Sequence, residues 1–161
     1  MIGVSSHPVT GTVDDASRPE NLPEGWEEWL AFFAAQLPRP VDREEDEGSV
    51  TFVAGDPGEV IVQLAPHVIR IAEYVAPASP RTTAPRRRWL GRIYWQRMSS
   101  TLAIAAVEAL IEAARETRRA RFRTCSWCEQ HLPPERMLNE TTCRRCAIES
   151  LGPPAGGEGH A

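Results

Sequence analysis

The residues best suited to chemistry are the four cysteines, and all of them fall between positions 125 and 146. They form two pairs, Cys125-Ser-Trp-Cys128 and Cys143-Arg-Arg-Cys146, separated by fourteen residues. A Cys-x₂-Cys turn aims two sulfurs at one point, and a short insert can bring a second pair back to complete a tetrahedron. No cysteine is left over. The spacing predicts one zinc ion per chain, held by Cys125, Cys128, Cys143 and Cys146. Four thiolates also suit an iron–sulfur cluster, which stays open as the alternative metal centre. Two redox dithiols would be expected beside a βαβ pattern, and structural disulfides behind a secretory leader; the sequence has neither feature.

The module around the cysteines is short. Cys125 to Cys128 reads as a knuckle, His131 to Leu138 as a hairpin or extended turn, and Cys143 to Leu151 as a short helix stopped by Gly152. A knuckle, a hairpin and a helix carrying the last two ligands resemble the treble-clef type of zinc finger. The resemblance covers about thirty residues, and the remainder of the chain carries no comparable likeness. Members of that class bind nucleic acid, bind protein, or form the scaffold of HNH-type nucleases, so the resemblance implies a fold more than a function. The nuclease branch also needs a catalytic His and further ligands, and His131 is the lone His of this module.

Catalytic signatures are otherwise absent. His7 and His160 lie near the chain ends, and His67 in a turn. There is no phosphate-binding Gly loop, nucleophile elbow or His-Glu-x-x-His run. A closed four-cysteine site leaves no open coordination position for Lewis-acid work. The sequence therefore predicts a protein that is not an enzyme.

The elements that position the cysteines follow from periodicity. Residues 1–20, which mix Ser, Thr, Gly, Pro and Asp, and residues 153–161, rich in Gly and Pro, read as disordered tails, leaving an α+β domain over 21–122 and the zinc module over 123–152. Trp26, Trp29, Leu30, Phe33 and Leu37 fall at helical spacing before Pro38, the pattern of a helix covering a sheet. Asp42 to Glu47 reads as a solvated acidic loop. Val50 to Ala54, Glu59 to Leu64, Val68 to Val75 and Arg88 to Met98 read as strands, giving an antiparallel sheet of about four. In the last of them Trp89, Ile93 and Trp95 are expected on one face. Leu102 to about Phe122 is an Ala-rich helix with Ser99 or Ser100 as its cap and Ile104, Val107, Ile111 and Ala114 as its buried stripe.

Charge is unevenly placed. The net charge is −4 with no lysine at all. Residues 1–80 carry −10, and residues 81–161 carry +6. Arg118, Arg119 and Arg121 end the long helix, where they complement its dipole; Arg144 and Arg145 begin the last helix, where they oppose it. The same arginines could neutralise phosphate, with Arg86 to Arg88 extending the patch. Trp127, inside the first cysteine pair, either faces a partner or packs on the Ala-rich helix.

Three uses follow from these features. The first is a non-catalytic adaptor or regulator whose zinc module presents Trp127 and arginines to a protein partner. The second is a nucleic-acid binder using Arg118, Arg119, Arg121, Arg144 and Arg145. A thiol redox sensor is a third. No apolar run of about 18 residues is long enough for a membrane span, and without an export leader the expected compartment is the cytoplasm.

Overall fold

The computed structural model describes residues 22–151, so the tail readings over 1–20 and 153–161, and the Gly152 stop, lie outside the described residues. The architecture is α+β. Helix α1 (Trp26–Gln36) is followed by strands β1 (Val41–Asp46), β2 (Ser49–Ala54), β3 (Val60–Leu64), β4 (Ile69–Val75) and β5 (Arg86–Ile93). Helix α2 (Ser100–Arg119), the two-residue strands β6 (Arg123–Thr124) and β7 (His131–Leu132), and helix α3 (Arg144–Leu151) follow within the described residues. The first five strands form one antiparallel sheet in sequential order. Such a meander needs only short turns between neighbours. At the β2–β3 turn Gly55 takes a positive φ of 99°, and the Glu59 amide returns to the Ala54 carbonyl at 2.8 Å.

One face of the sheet is covered by the helices. Val50, Phe52, Val60, Val62, Leu64, Ile69 and Ile71 alternate along β2 to β4 and pack with Phe33 of α1 and Val107, Ile111 and Ala114 of α2. Residues spaced by two share a sheet face, and those spaced by three or four share a helix stripe, so the two periods meet at one core. Ser99 caps α2 by accepting from the Leu102 amide at 3.3 Å. The stripe runs through Ala103, Val107, Ile111, Ala114 and Arg118. Ile104, expected inside, is exposed because Ala103 takes the inward position one residue earlier. Gly91 lets α2 approach β5: a Cβ there would meet Leu110 at 2.8 Å.

Two sequence expectations are corrected. The sheet has five strands, not about four, because the acidic stretch is not a loop: Val41–Asp46 pairs in register with β2, from Val41 opposite Ala54 to Asp46 opposite Ser49. As an edge strand with its carboxylates in solvent, it needs no apolar alternation. The fifth strand also differs from its expected form. The register slips by one residue at Leu90, so that Ile71 faces Gly91 and Ala72 faces Trp89. This bulge turns Trp89 out while Ile93 stays against the core. Trp95 lies beyond the strand in a 3₁₀ turn, buried against Trp29, and its indole N–H donates to the Ala65 carbonyl at 3.2 Å.

Among the described residues, no helix is long and apolar enough to cross a membrane.

Candidate metal centre

Helix α2 leads directly into the cysteine module. After Arg119 one turn reaches β6, and β6 pairs with β7 so that Arg123 faces Leu132 and Thr124 faces His131. The hairpin arms thus flank the first knuckle instead of lying within residues 131–138. Inside the knuckle the Cys125 amide donates to the Gln130 carbonyl at 3.0 Å, and the Glu129 amide to the Cys125 carbonyl at 2.8 Å. Glu129 takes the left-handed φ of 58° that closes the turn.

The second pair is built differently. Asn139 Oδ1 accepts from the amides of Thr141 and Thr142 at 3.0 and 2.9 Å, an Asx turn that reverses the chain before Cys143. Helix α3 starts immediately afterwards and carries Cys146 in its first turn. The Ser126 amide donates to the Thr141 carbonyl at 2.8 Å, which ties the two turns together.

All four sulfurs converge. Their ligand atoms lie within 4.8 Å of one another, and no pair is a disulfide. Cys128 Sγ and Cys143 Sγ are 3.9 Å apart. A tetrahedron with metal–sulfur bonds of about 2.3 Å has edges of about 3.8 Å, so the four cysteines can hold one metal ion. Backbone N–H groups point at the sulfurs: Cys143 N–H at Cys125 Sγ (3.3 Å) and Cys146 N–H at Cys143 Sγ (3.4 Å).

These contacts set proton affinities in opposite directions. Hydrogen bonds from the Cys128 and Cys143 amides hold the Cys125 thiol down at about 6. Its hydrogen bond to Cys143, together with burial, pushes the Cys146 thiol up to about 12. At neutral pH the metal-free cluster therefore keeps the Cys146 proton, and a bound ion must displace it. Metal affinity is expected to rise with pH. Titrating metal-free protein against a competing chelator at about pH 6 and about pH 8 should show tighter binding at the higher pH. Equal affinities would mean that no proton leaves on binding.

The arginines expected near the cysteines are brought to this region, but each already has a partner. Arg118 is only 2% exposed; its Nε donates to the Gly58 carbonyl at 2.9 Å and its Nη2 to the Glu135 carboxylate. Arg119 pairs with Glu59 at 3.2 Å, and Arg121 with Glu73 at 2.7 Å. Arg144 Nε donates to the Glu135 carbonyl at 3.2 Å, and Arg145 faces Glu149 at 3.6 Å. Trp127 does not pack on α2: it is 65% exposed.

The acids that take up this positive charge were missed from sequence. Glu73 is 0% exposed and bridges Arg121 to Arg88 (3.0 Å). It shares the inward parity of Ile69 and Ile71, so a lone acid at that position of an apolar strand is the signal that it needed a cation.

Among the described residues the remaining titratable groups form no second centre. His67 bonds Gln96 (2.8 Å) and His131 bonds Thr124 (3.2 Å). His7 and His160 lie outside the described residues. A cleft of about 600 Å³ between α1 and the start of α2 is lined by Glu24, Glu28, Trp29, Phe32 and Trp95, with neither Cys nor His. No family model matches the chain, and neither the curated proteins nor the solved structures contain a match.

Proposed function

We propose that the protein is a non-catalytic adaptor or regulator in which Cys125, Cys128, Cys143 and Cys146 hold one zinc ion in a treble-clef-like module, and that this module docks a protein partner through Trp127. The observation carrying the reading is the 65% exposure of Trp127 between two ligand cysteines. A tryptophan on a loop fixed by metal and backbone hydrogen bonds gives up little conformational freedom when a partner closes over it. Tryptophan is also among the residues that most often dominate interface energies.

Zinc fits the site for chemical reasons. Four thiolates in a tetrahedron suit its lack of geometric preference, and saturation by protein ligands gives it a structural role. Cys125, Cys143 and Cys146 are buried, which favours a structural centre over a thiol switch, since reactive thiols sit at partly exposed positions. The adaptor reading is favoured over phosphate binding by the arginines at the end of α2, because Arg118, Arg119 and Arg121 are committed to Glu135, Glu59 and Glu73.

Affinity capture with tagged protein tests the docking role. Trp127→Ala should weaken retention of the bound partner by about thirtyfold while metal content and melting temperature stay unchanged. Equal retention by both forms would exclude Trp127 as the anchor.

A further inference from the structure

A second charged surface lies on β5, away from the cysteines in sequence. From Tyr74 to Val107 the chain has six arginines and not one Asp or Glu. Glu73 neutralises Arg88. Arg70, Arg87, Arg92 and Arg97 have no carboxylate partner among the described residues, unlike the arginines that end α2.

Their arrangement is specific. Arg70 and Arg92 stand directly opposite each other across β4 and β5, a like-charged cross-strand pair that destabilises a sheet. Next along the same face, Trp89 faces Ala72 and Arg87 faces Tyr74. Trp89 is 45% exposed and Tyr94 41%. Guanidinium groups lie over both rings: Arg87 is 5.9 Å from the Trp89 centroid, and Arg92 and Arg97 are 5.7 and 5.3 Å from that of Tyr94. Arginines on an edge strand do discourage sheet-to-sheet aggregation. That use explains the charge but not the two exposed rings interleaved with it.

We propose that the outward surface of β4 and β5, with the 3₁₀ turn that follows β5, is a binding site for single-stranded nucleic acid, with Trp89 and Tyr94 as stacking platforms and Arg70, Arg87, Arg92 and Arg97 facing the phosphates. Aromatic rings interleaved with cations that lack carboxylate partners, along β5 and into the 3₁₀ turn Trp95–Arg97 that follows it, match unpaired bases strung on a charged backbone. A duplex keeps its bases stacked on each other and offers nothing to the rings. The site is separate from the zinc module and does not depend on what Trp127 docks.

Fluorescence anisotropy with a labelled single-stranded oligonucleotide of about 12 nucleotides, at about 50 and 200 mM salt, provides the test. The full chain should bind, with log K falling against log salt at a slope of about −2 to −3 for four phosphate contacts. Arg87→Ala combined with Arg92→Ala should flatten the slope by about 1.4, and Trp89→Ala should weaken binding about tenfold without changing the slope. These residues are exposed, so an unchanged melting temperature confirms that the variants fold. Arg144→Ala with Arg145→Ala should leave binding intact. No binding at low salt would overturn the proposal. So would loss of binding in the Arg144/Arg145 variant, equal affinity for duplex, or a polyglutamate peptide that binds as tightly and is indifferent to Trp89→Ala.

Discussion

Removing the metal, by chelation or by Cys143→Ser, is expected to unfold residues 123–151 and leave the five-stranded sheet standing. The reason lies in what each part buries. The module's own cluster consists of Cys125, Met137, Cys143 and Cys146, with Cys128 and Leu132 partly packed against it. Four of those six are the ligands themselves. Without an ion the four sulfurs have only each other and a few N–H groups, and Met137 and Leu132 are too little core for about thirty residues. Structural zinc contributes on the order of 10–16 kcal/mol in small finger peptides, which is more than such a module could replace. The sheet has a separate core in Phe33, Phe52, Val62, Ile71, Val107 and Ile111. Hydrogen exchange before and after chelation should show protection lost at β6, β7 and α3 but kept at β2, β3 and β4. Loss of all protection in one transition would show a single cooperative unit; full protection without metal would remove the structural role of the ion.

How much was legible from sequence depended on how local the cause was. The cysteine pairs, the Val60, Val62 and Leu64 face, and the stripe Val107, Ile111 and Ala114 are set by spacing within one element, and they stand where periodicity put them. Strand β1 was not legible, because Val41-Asp-Arg-Glu-Glu-Asp46 owes its extended form to pairing with β2 and not to its own side chains. The outward turn of Trp89 was not legible either. A single bulged residue at Leu90 reverses parity, and alternation alone cannot signal it. The fate of the arginines was hardest of all. Arg121 meets Glu73 from 48 residues away, and Arg119 meets Glu59 from 60. A cationic cluster on one helix is largely neutralised by the sheet beneath it.

Arg118 makes the distinction between a structural and a ligand-binding arginine measurable. At 2% exposure it sits between the Tyr74 ring, 5.3 Å from its guanidinium carbon, and the Phe122 ring, at 5.5 Å. It joins α2 to the β2–β3 turn through Gly58 and to the cysteine module through Glu135. Gly58 belongs there for steric reasons, since a Cβ would come within 2.5 Å of the Tyr74 ring. Truncation to alanine would strip a buried charge-assisted contact, leave the Gly58 carbonyl without its donor and open a void between two rings. Breaking a fully buried pair costs about 3–5 kcal/mol. Glu135 is partly exposed and can turn to water, so Arg118→Ala should cost about 3 kcal/mol, at the lower end of that range. That corresponds to a fall in melting temperature of about 10 °C. Lysine should not restore it, because one ammonium cannot lie flat between two rings and serve two acceptors in fixed directions. Arg119→Ala, by contrast, breaks a half-exposed pair and should cost less than about 1 kcal/mol. Tyr74 supplies a local check. Its phenol is held above the ordinary value by burial first and then by the Glu135 carboxylate, with Arg118 pulling the other way. Arg118→Ala changes all three, so it should shift the Tyr74 titration, in an ultraviolet pH titration whose only other phenol is Tyr94. If stability and the Tyr74 titration are both unchanged, Arg118 is not the joint between sheet and module, and its burial has no energetic consequence.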